Sequence, residues 1–264
     1  MGEYSKEEIS GHNKEIEDQI FKKYGELRKE KGLCKGCNVP KEVNGGLPVS
    51  FFVIGESFQE QKCRVMFVGK TVRDGWENDP IEVVSGFIDP RKNAKEELFL
   101  PFWSTYPFWQ CIKEICQRLW EISNPEDIWR RIAITNLVKC STSPNIDTTP
   151  DLLKRNCIEN ARFFENEVKE AQPTHIILFT GSDYDEYLDK ISFGYEDSYG
   201  GEKIDRLEGF EGPIKLWQKN FLEKGKVKMR FLRTYHPAFF RTAEKKQRFC
   251  QLIVEWIKRN SVEI

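Results

Sequence analysis

Two pairs of cysteines are the residues whose type and spacing most directly suggest chemistry in this chain. Two residues separate Cys34 from Cys37, and 16 residues separate Cys140 from Cys157. Thiolates on one tight turn reach the same metal, and two such pairs supply the four ligands of one zinc ion or one [4Fe-4S] cluster. Spacing alone does not separate these two metals. Ordinary buried, reduced cysteines are the alternative, and it is our prediction for the other four: Cys63, Cys111, Cys116 and Cys250.

Composition predicts a globular protein with its own core. The chain has 264 residues, of which 39% are hydrophobic and 13% aromatic. We expect a reducing, cytoplasmic environment and no disulfide framework, because the Lys/Glu-rich start carries no apolar signal segment. We also expect no membrane contact, since no apolar run approaches the ~18 residues that span a bilayer. A net charge of -1 neither indicates nor excludes nucleic acid, so local patches must bind any phosphates.

Strands and helices alternate along the chain, which predicts an α/β fold. Apolar runs predict strands at Arg64–Gly69, Arg131–Asn136, His175–Phe179 and Arg230–Tyr235, and helical spacing predicts helices over 3–31, 107–122, 151–170 and 242–260. We therefore expect a three-layer α/β/α sandwich with a mostly parallel central four-stranded sheet. An N-terminal helical extension over 1–32 would precede a catalytic domain over 33–264.

The carboxyl ends of the predicted strands are where a ligand is expected to bind, because parallel strands end at the same edge of a sheet. Gly69, Asn136, Gly181 and His236 follow or close these strands. The sequence therefore directs attention to the segments that begin at these four residues.

The order of motifs along the chain resembles the uracil-DNA glycosylase superfamily, and most closely its iron-sulfur family-4 enzymes. The motifs are Phe-Val-Gly ending at Gly69, Pro-Phe ending at Phe102, Ile-Thr-Asn-Leu-Val-Lys-Cys ending at Cys140, and Thr-Tyr-His-Pro-Ala around His236. The likeness covers roughly residues 33–258. It implies a DNA substrate, a monomer without a nucleotide cofactor, and a [4Fe-4S] cluster rather than zinc on Cys34, Cys37, Cys140 and Cys157.

The resemblance also implies roles for single residues. Asn136 matches the asparagine that hydrogen-bonds the flipped base, and its amide offers both a donor and an acceptor. His236 matches the histidine that stabilises charge on the departing base. Phe102 matches the aromatic residue that stacks on that base. Without the resemblance, Asn136 would be interpreted as a turn residue, His236 as structural and Phe102 as part of the core.

The first motif departs from the family pattern of Gly-Glu-Ala-Pro-Gly. The segment here begins Gly69-Lys70 and continues to Asp74-Gly75, so a cation replaces the acidic residue. Asp74 could still activate water, although an Asp before Gly is commonly a turn former. A long, aromatic-rich segment follows, up to Phe102. Both changes favour a bulky modified pyrimidine, such as hydroxymethylated or glucosylated cytosine of phage DNA, and hence an antiviral glycosylase.

Two further functions stay open. One is an ordinary uracil-DNA repair glycosylase whose first motif has diverged. The other is a catalytically silent protein that binds DNA and captures flipped bases. An assay for abasic sites would separate the silent protein from both enzymes.

A basic and aromatic segment after His236 is the candidate DNA contact. Phe239, Phe240, Arg241 and Lys245 follow the histidine closely, and in the superfamily this loop enters the minor groove. These residues are therefore expected to bind DNA, with the first three as candidates for wedging the duplex open. Gly69 and Lys70 are expected to bind the flipped base. A solvated helix start is the alternative.

Overall fold

Ten strands and seven α-helices occur among the residues that the computed structural model describes, which are 13–31, 52–71, 83–84, 87–88, 106–139, 148–198, 203–204 and 216–261. The strands are β1 Phe52–Ile54, β2 Val65–Gly69, β3 Val83–Val84, β4 Phe87–Ile88, β5 Ala133–Asn136, β6 His175–Leu178, β7 Glu196–Ser198, β8 Lys203–Ile204, β9 Leu216–Glu223 and β10 Lys226–Arg233. The α-helices are α1 Lys14–Lys31, α2 Pro107–Trp120, α3 Pro125–Trp129, α4 Asp151–Lys154, α5 Phe163–Ala171, α6 Asp185–Leu188 and α7 Ala243–Asn260.

Four parallel strands form the centre of the main sheet. Their order is β5, β2, β6, β10, and each neighbouring pair is parallel. Strands β2, β5 and β6 are buried along their whole length, as expected for strands covered on both faces. These are the four strands that the apolar runs predict, and their parallel arrangement confirms the expected centre.

Antiparallel strands widen the sheet at both edges. Strand β1 pairs with β5 at one edge, and β9 pairs with β10 at the other, where β7 and β8 join β9. The β9–β10 hairpin turns at Lys224 and Gly225, which have φ values of 52° and 76°. A tight two-residue turn needs positive φ at both positions, and glycine adopts it without strain. The sheet is thus wider than the four strands predicted, while β3 and β4 pair separately.

Helices cover both faces of the sheet and produce three layers. Met66 and Val68 of β2 belong to the core cluster that includes Tyr24 of α1, whereas Val65 and Phe67 belong to the opposite cluster. Successive side chains of a strand point to opposite faces, so one strand supplies both cores. The opposite cluster contains residues of α2 and α7, which pack on each other. The α/β/α sandwich is confirmed.

The segment predicted to be helical over 151–170 is helical, but it is divided into two parts by a break at residues 161–162. Helix α4 runs into a π-helical turn, Arg155–Asn160, and α5 starts only at Phe163. Arg162 takes a left-handed conformation with φ 53°, which ends the first helical segment and redirects the second. Cys157 lies inside the π-helical turn, where the backbone departs from regular helical geometry.

Helix α1 packs against the sandwich, on the same core as α5. Asn13 precedes the helix, and its side-chain oxygen accepts a hydrogen bond from the Ile16 backbone N–H at 3.3 Å, which caps the first turn. Ile20 and Tyr24 are buried in the main core. The division at residue 32 between an extension and a catalytic domain stays a prediction. In the part of the chain described above, no helix is both long and apolar enough to cross a bilayer.

Candidate active site

Gly69 and Asn136 lie side by side at the carboxyl ends of β2 and β5. They are register partners, and the backbone N–H of Leu137 donates to the Gly69 carbonyl at 3.0 Å. A Cβ atom added to Gly69 would lie 2.2 Å from the Asn136 side-chain oxygen. Glycine is therefore required here so that the carboxamide of Asn136 can lie against the neighbouring backbone. The two residues expected at the base-binding end of the sheet are adjacent.

His236 follows β10 and begins a 3-10 turn, Pro237–Phe239. Its Nδ1 atom accepts a hydrogen bond from the Ala238 backbone N–H at 3.2 Å. A ring nitrogen that accepts carries no proton, so in this arrangement the proton of the neutral ring is on Nε2. The ring is half-buried. The backbone thus selects the tautomer in which Nε2 can donate a hydrogen bond to a ligand.

Phe108 joins these two parts of the site. Its ring stacks on His236 with a centroid distance of 6.0 Å and an interplanar angle of 10°. The same ring reaches the end of β2, because its Cε2 atom would lie 3.5 Å from a Cβ on Gly69. Phe108 therefore lies between His236 and Gly69, whose register partner is Asn136. The sequence predicts Phe108 only as one of the apolar residues on a helix face, so its contact with His236 is a finding of the structure.

Tyr106 is a second aromatic neighbour of the histidine that the sequence did not identify. Its ring centroid lies 5.9 Å from that of His236, and the side chain is 47% exposed. Large aromatic side chains are seldom this exposed to solvent. Tyr106 therefore offers an accessible ring face beside His236, suited to contact with a planar ligand.

The segments after β2 and β6 also meet at this edge. The Lys70 ammonium lies 3.9 Å from a carboxylate oxygen of Asp183. Gly181, with φ 69°, donates its backbone N–H to the Thr234 carbonyl at 2.8 Å, which ties the segment after β6 to the end of β10. Asp183 is thus a carboxylate at the ligand-binding edge that nothing in its sequence context distinguished.

The aromatic pair after His236 divides into an exposed and a buried residue. Phe239 is 61% exposed, whereas Phe240 is 3% exposed and packs on Phe249 with a centroid distance of 4.4 Å. Arg241 and Lys245 are exposed at the start of α7, where the Thr242 hydroxyl accepts from the Lys245 backbone N–H at 3.3 Å. Of these two residues, Phe239 is therefore the one accessible to a ligand, and Phe240 anchors the turn beneath it.

Several predicted site residues lie outside the described residues: Asp74, Phe102, Cys34, Cys37 and Cys140. The fourth predicted metal ligand, Cys157, is 4% exposed. Within the described ranges, no group of three or more His, Cys, Asp and Glu side chains could hold a metal ion. The metal site thus stays a prediction from the sequence.

The remaining cysteines belong to the protein interior. Cys111, Cys116 and Cys250 are buried between α2 and α7, and Cys63 is partly buried. Burial raises the pKa of Cys111 and Cys116 well above the usual value for a thiol, because a thiolate loses its hydration there. Neutral, buried thiols are poor nucleophiles and poor metal ligands. Their position agrees with the prediction that they are core residues.

Comparison with known proteins identifies the family. The model of the Uracil DNA glycosylase superfamily matches residues 52–258, a range that contains the whole central sheet and both Asn136 and His236. No curated protein matches the chain. Members of this superfamily are DNA glycosylases, which hydrolyse the bond between a base and its deoxyribose. With the α/β/α fold and the site at the strand ends, the match shows that this chain belongs to the uracil DNA glycosylase superfamily.

Proposed function

We propose that the protein is a DNA glycosylase that flips a non-standard pyrimidine out of DNA and hydrolyses its N-glycosidic bond, leaving an abasic site. One observation carries the proposal: at the carboxyl ends of the strands, Phe108 stacks on His236 and lies beside Gly69, the register partner of Asn136. A base inside a duplex cannot be reached by these side chains, so the nucleotide must be extruded into the pocket.

Asn136 and His236 have complementary tasks in this reaction. The Asn136 carboxamide offers a donor and an acceptor to the edge of the base. As the bond from C1′ to the base nitrogen breaks, its electron pair moves to the base, and negative charge develops on the exocyclic carbonyl oxygen next to that nitrogen. The Nε2–H of His236 donates to that oxygen. One such donor typically lowers the barrier by ~3–4 kcal/mol.

Water completes the reaction by adding to C1′ of the sugar, and the proton that it loses neutralises the departing base anion. Asp74 is the carboxylate that we propose to orient this water. Phe102 is the proposed stacking partner of the flipped base, beside Gly69 and Lys70. Since the oxocarbenium-like sugar is already reactive, a correctly placed water needs little activation.

The substrate that we propose is a bulky modified pyrimidine, such as hydroxymethylated or glucosylated cytosine of phage DNA, which would give the enzyme an antiviral role in the cytoplasm. Lys70, where the family pattern has an acidic residue, and the long segment up to Phe102 support this choice. The Lys70 side chain is 24% exposed and forms an ion pair with Asp183, so two charged groups lie at this edge of the sheet, where a polar substituent of the base would bind. Uracil remains the alternative substrate, and silent base capture is the alternative function.

Release of bases from defined DNA tests these functions. Purified protein is incubated with DNA containing uracil, hydroxymethylcytosine or glucosylated hydroxymethylcytosine, and abasic sites are scored. We expect cleavage of the modified DNA and a loss of about 10²–10³-fold in His236→Ala and Asn136→Ala. Asn166→Ala, at a half-buried position of α5 where the side chain donates to the Arg162 carbonyl at 3.0 Å, is the matched control. Activity on uracil alone would reject the modified-base proposal. The absence of abasic sites in every DNA would reject both enzymes and support the catalytically silent protein.

We propose that DNA is contacted through the turn after His236. Phe239, exposed at its tip, would wedge into the duplex, while Arg241 and Lys245 would bind phosphates and Phe240 would support the turn. Exchanging Arg241 and Lys245 for alanine should weaken DNA binding and reduce its dependence on salt. An unchanged salt dependence would place the DNA elsewhere.

We further propose a [4Fe-4S] cluster held by Cys34, Cys37, Cys140 and Cys157, with zinc as the alternative. In support, Cys157 is buried inside the π-helical turn, and Lys139, which directly precedes Cys140, is buried beside Asn136. Such a cluster would clamp the segment after Asn136 and take no part in bond breaking. The visible absorbance of protein purified without oxygen, together with iron and zinc analysis, distinguishes the two metals.

A further inference from the structure

A fully buried polar cluster lies directly behind Asn136. The side chains of Lys139 and Glu167 have no exposed surface, and Thr135 and Tyr24 are equally buried. The Lys139 ammonium donates to the Thr135 hydroxyl at 2.6 Å, to the main-chain carbonyl of Asn136 at 2.7 Å and to a carboxylate oxygen of Glu167. The cluster therefore binds the backbone of the residue that reads the base.

The hydrogen bonds of the cluster match a charged Lys139–Glu167 pair. An ammonium has three N–H groups, and Lys139 uses one for each of three acceptors. Glu167 accepts from Lys139, from the Thr135 hydroxyl at 2.8 Å and from the Tyr24 hydroxyl. Burial lowers the pKa of Lys139 and raises the pKa of Glu167, because both charges lose hydration. The hydrogen bonds oppose this loss, so each partner depends on the other.

We infer that Lys139 is a positioning residue for Asn136, and that helix α1 belongs to the active site through Tyr24. Tyr24 lies outside residues 52–258, which the superfamily model matches. Its hydroxyl nevertheless donates to Glu167. Glu167 also accepts from Lys139, which in turn donates to the Asn136 carbonyl. A residue beyond the family domain thus completes the support of the base-reading side chain. The inference rests on the proposed function, since it concerns the same site.

The positioning follows from how Asn136 is held. On one side, β-sheet pairing with Gly69 and the absence of a side chain there place the carboxamide. On the other side, Lys139 holds the carbonyl of the same residue. Without that hydrogen bond the peptide after Asn136 can tilt, and the carboxamide tilts with it. A displacement of about 1 Å at a reacting site can lower the rate by about 100-fold.

A mutant cycle tests the coupling. Lys139→Met should lower the single-turnover rate of base release by about 10- to 100-fold, with DNA affinity changed less than about twofold. Tyr24→Phe, which removes only a hydroxyl, should lower it by about 3- to 10-fold. In an Asn136→Ala background, Lys139→Met should have no further effect. An equal loss in both backgrounds would overturn the inference, because positioning acts only through Asn136.

A second variant separates positioning from folding. Lys139→Met leaves Glu167 buried without its counter-charge and is expected to destabilise the protein. The double variant Lys139→Met/Glu167→Leu removes both charges, so its thermal stability should recover while its rate stays low. Recovery of the rate with the stability would show a purely structural role. Lys228→Met breaks an exposed pair with Glu223 and is the control for charge removal.

A measurement on the free protein keeps this inference distinct from the proposed function. With ¹⁵N-labelled asparagine, the side-chain N–H signals of Asn136 are assigned by their loss in Asn136→Ala. These signals should shift or broaden in Lys139→Met and in Tyr24→Phe, but not in Lys228→Met. If the wild-type protein releases no base, the proposed function fails and these signals still decide the positioning. Unchanged signals would refute it whether or not the enzyme is active.

Discussion

Replacement of Gly69 by alanine should slow the proposed base release and leave the fold intact. The new Cβ would lie 2.2 Å from the Asn136 side-chain oxygen, whereas a carbon and an oxygen normally approach to about 3.3 Å. The carboxamide must therefore move by about 1 Å. Because it is the end of a rotatable side chain, this movement costs little stability. It does remove the amide from the base edge, and we expect a loss of about 100-fold, or ~2.7 kcal/mol in the barrier.

Gly55→Ala is the matched control, because the same atom is added where the neighbour cannot move. Its Cβ would meet the main-chain carbonyl of Arg130 and that of Trp129, both of which are backbone. We expect this variant to lose stability rather than intrinsic rate. Single-turnover base release and thermal unfolding are measured for both variants. A Gly69→Ala enzyme with the wild-type rate, or one that unfolds as readily as Gly55→Ala, would refute the assignment of Asn136.

Two further predictions concern stability and DNA contact. Burial, with the charge of Arg230 adding to it, lowers the pKa of His175 to about 4 from an ordinary 6.5, so the unfolded chain binds more protons between these values. Stability should rise by up to about 3 kcal/mol from pH 4 to pH 6.5, and urea unfolding of His175→Asn should show a smaller rise. Phe239→Ala should reduce base release without loss of stability, whereas Phe240→Ala should destabilise the fold by about 3–5 kcal/mol in thermal unfolding. Equal behaviour of the two variants would contradict the assignment of Phe239 to DNA contact and of Phe240 to the core.

The central strands were predictable because their apolar runs are unbroken. Val65–Gly69 and His175–Leu178 are buried at every position, and such runs end where the ligand-binding edge begins. Strand β9 was missed because three consecutive polar residues, 218–220, interrupt its apolar residues, so the strand has no strong apolar run. The break within the helical segment over 151–170 was not predicted, because hydrophobic spacing does not reveal that a residue such as Arg162 adopts a left-handed conformation.

The candidate site was predictable in part. Asn136 and His236 follow directly from the strand ends and the ordered motifs. Phe108 and Tyr106 did not follow, because an aromatic residue at the start of a helix looks the same whether it supports a core or a pocket. Asp183 was missed for a similar reason, since its approach to Lys70 depends on the folding of two separate segments.

By itself, the sequence determined the family, the parallel centre of the sheet and the two residues at its edge, because these depend on local apolar runs and short motifs. Only the tertiary structure decided how Asn136 is held. Tyr24 and Glu167 are 143 residues apart, and Glu167 is 28 residues from Lys139. No local sequence pattern predicts a hydrogen bond between such distant positions. These hydrogen bonds form only when α1, α5 and β5 pack around the buried Lys139–Glu167 ion pair.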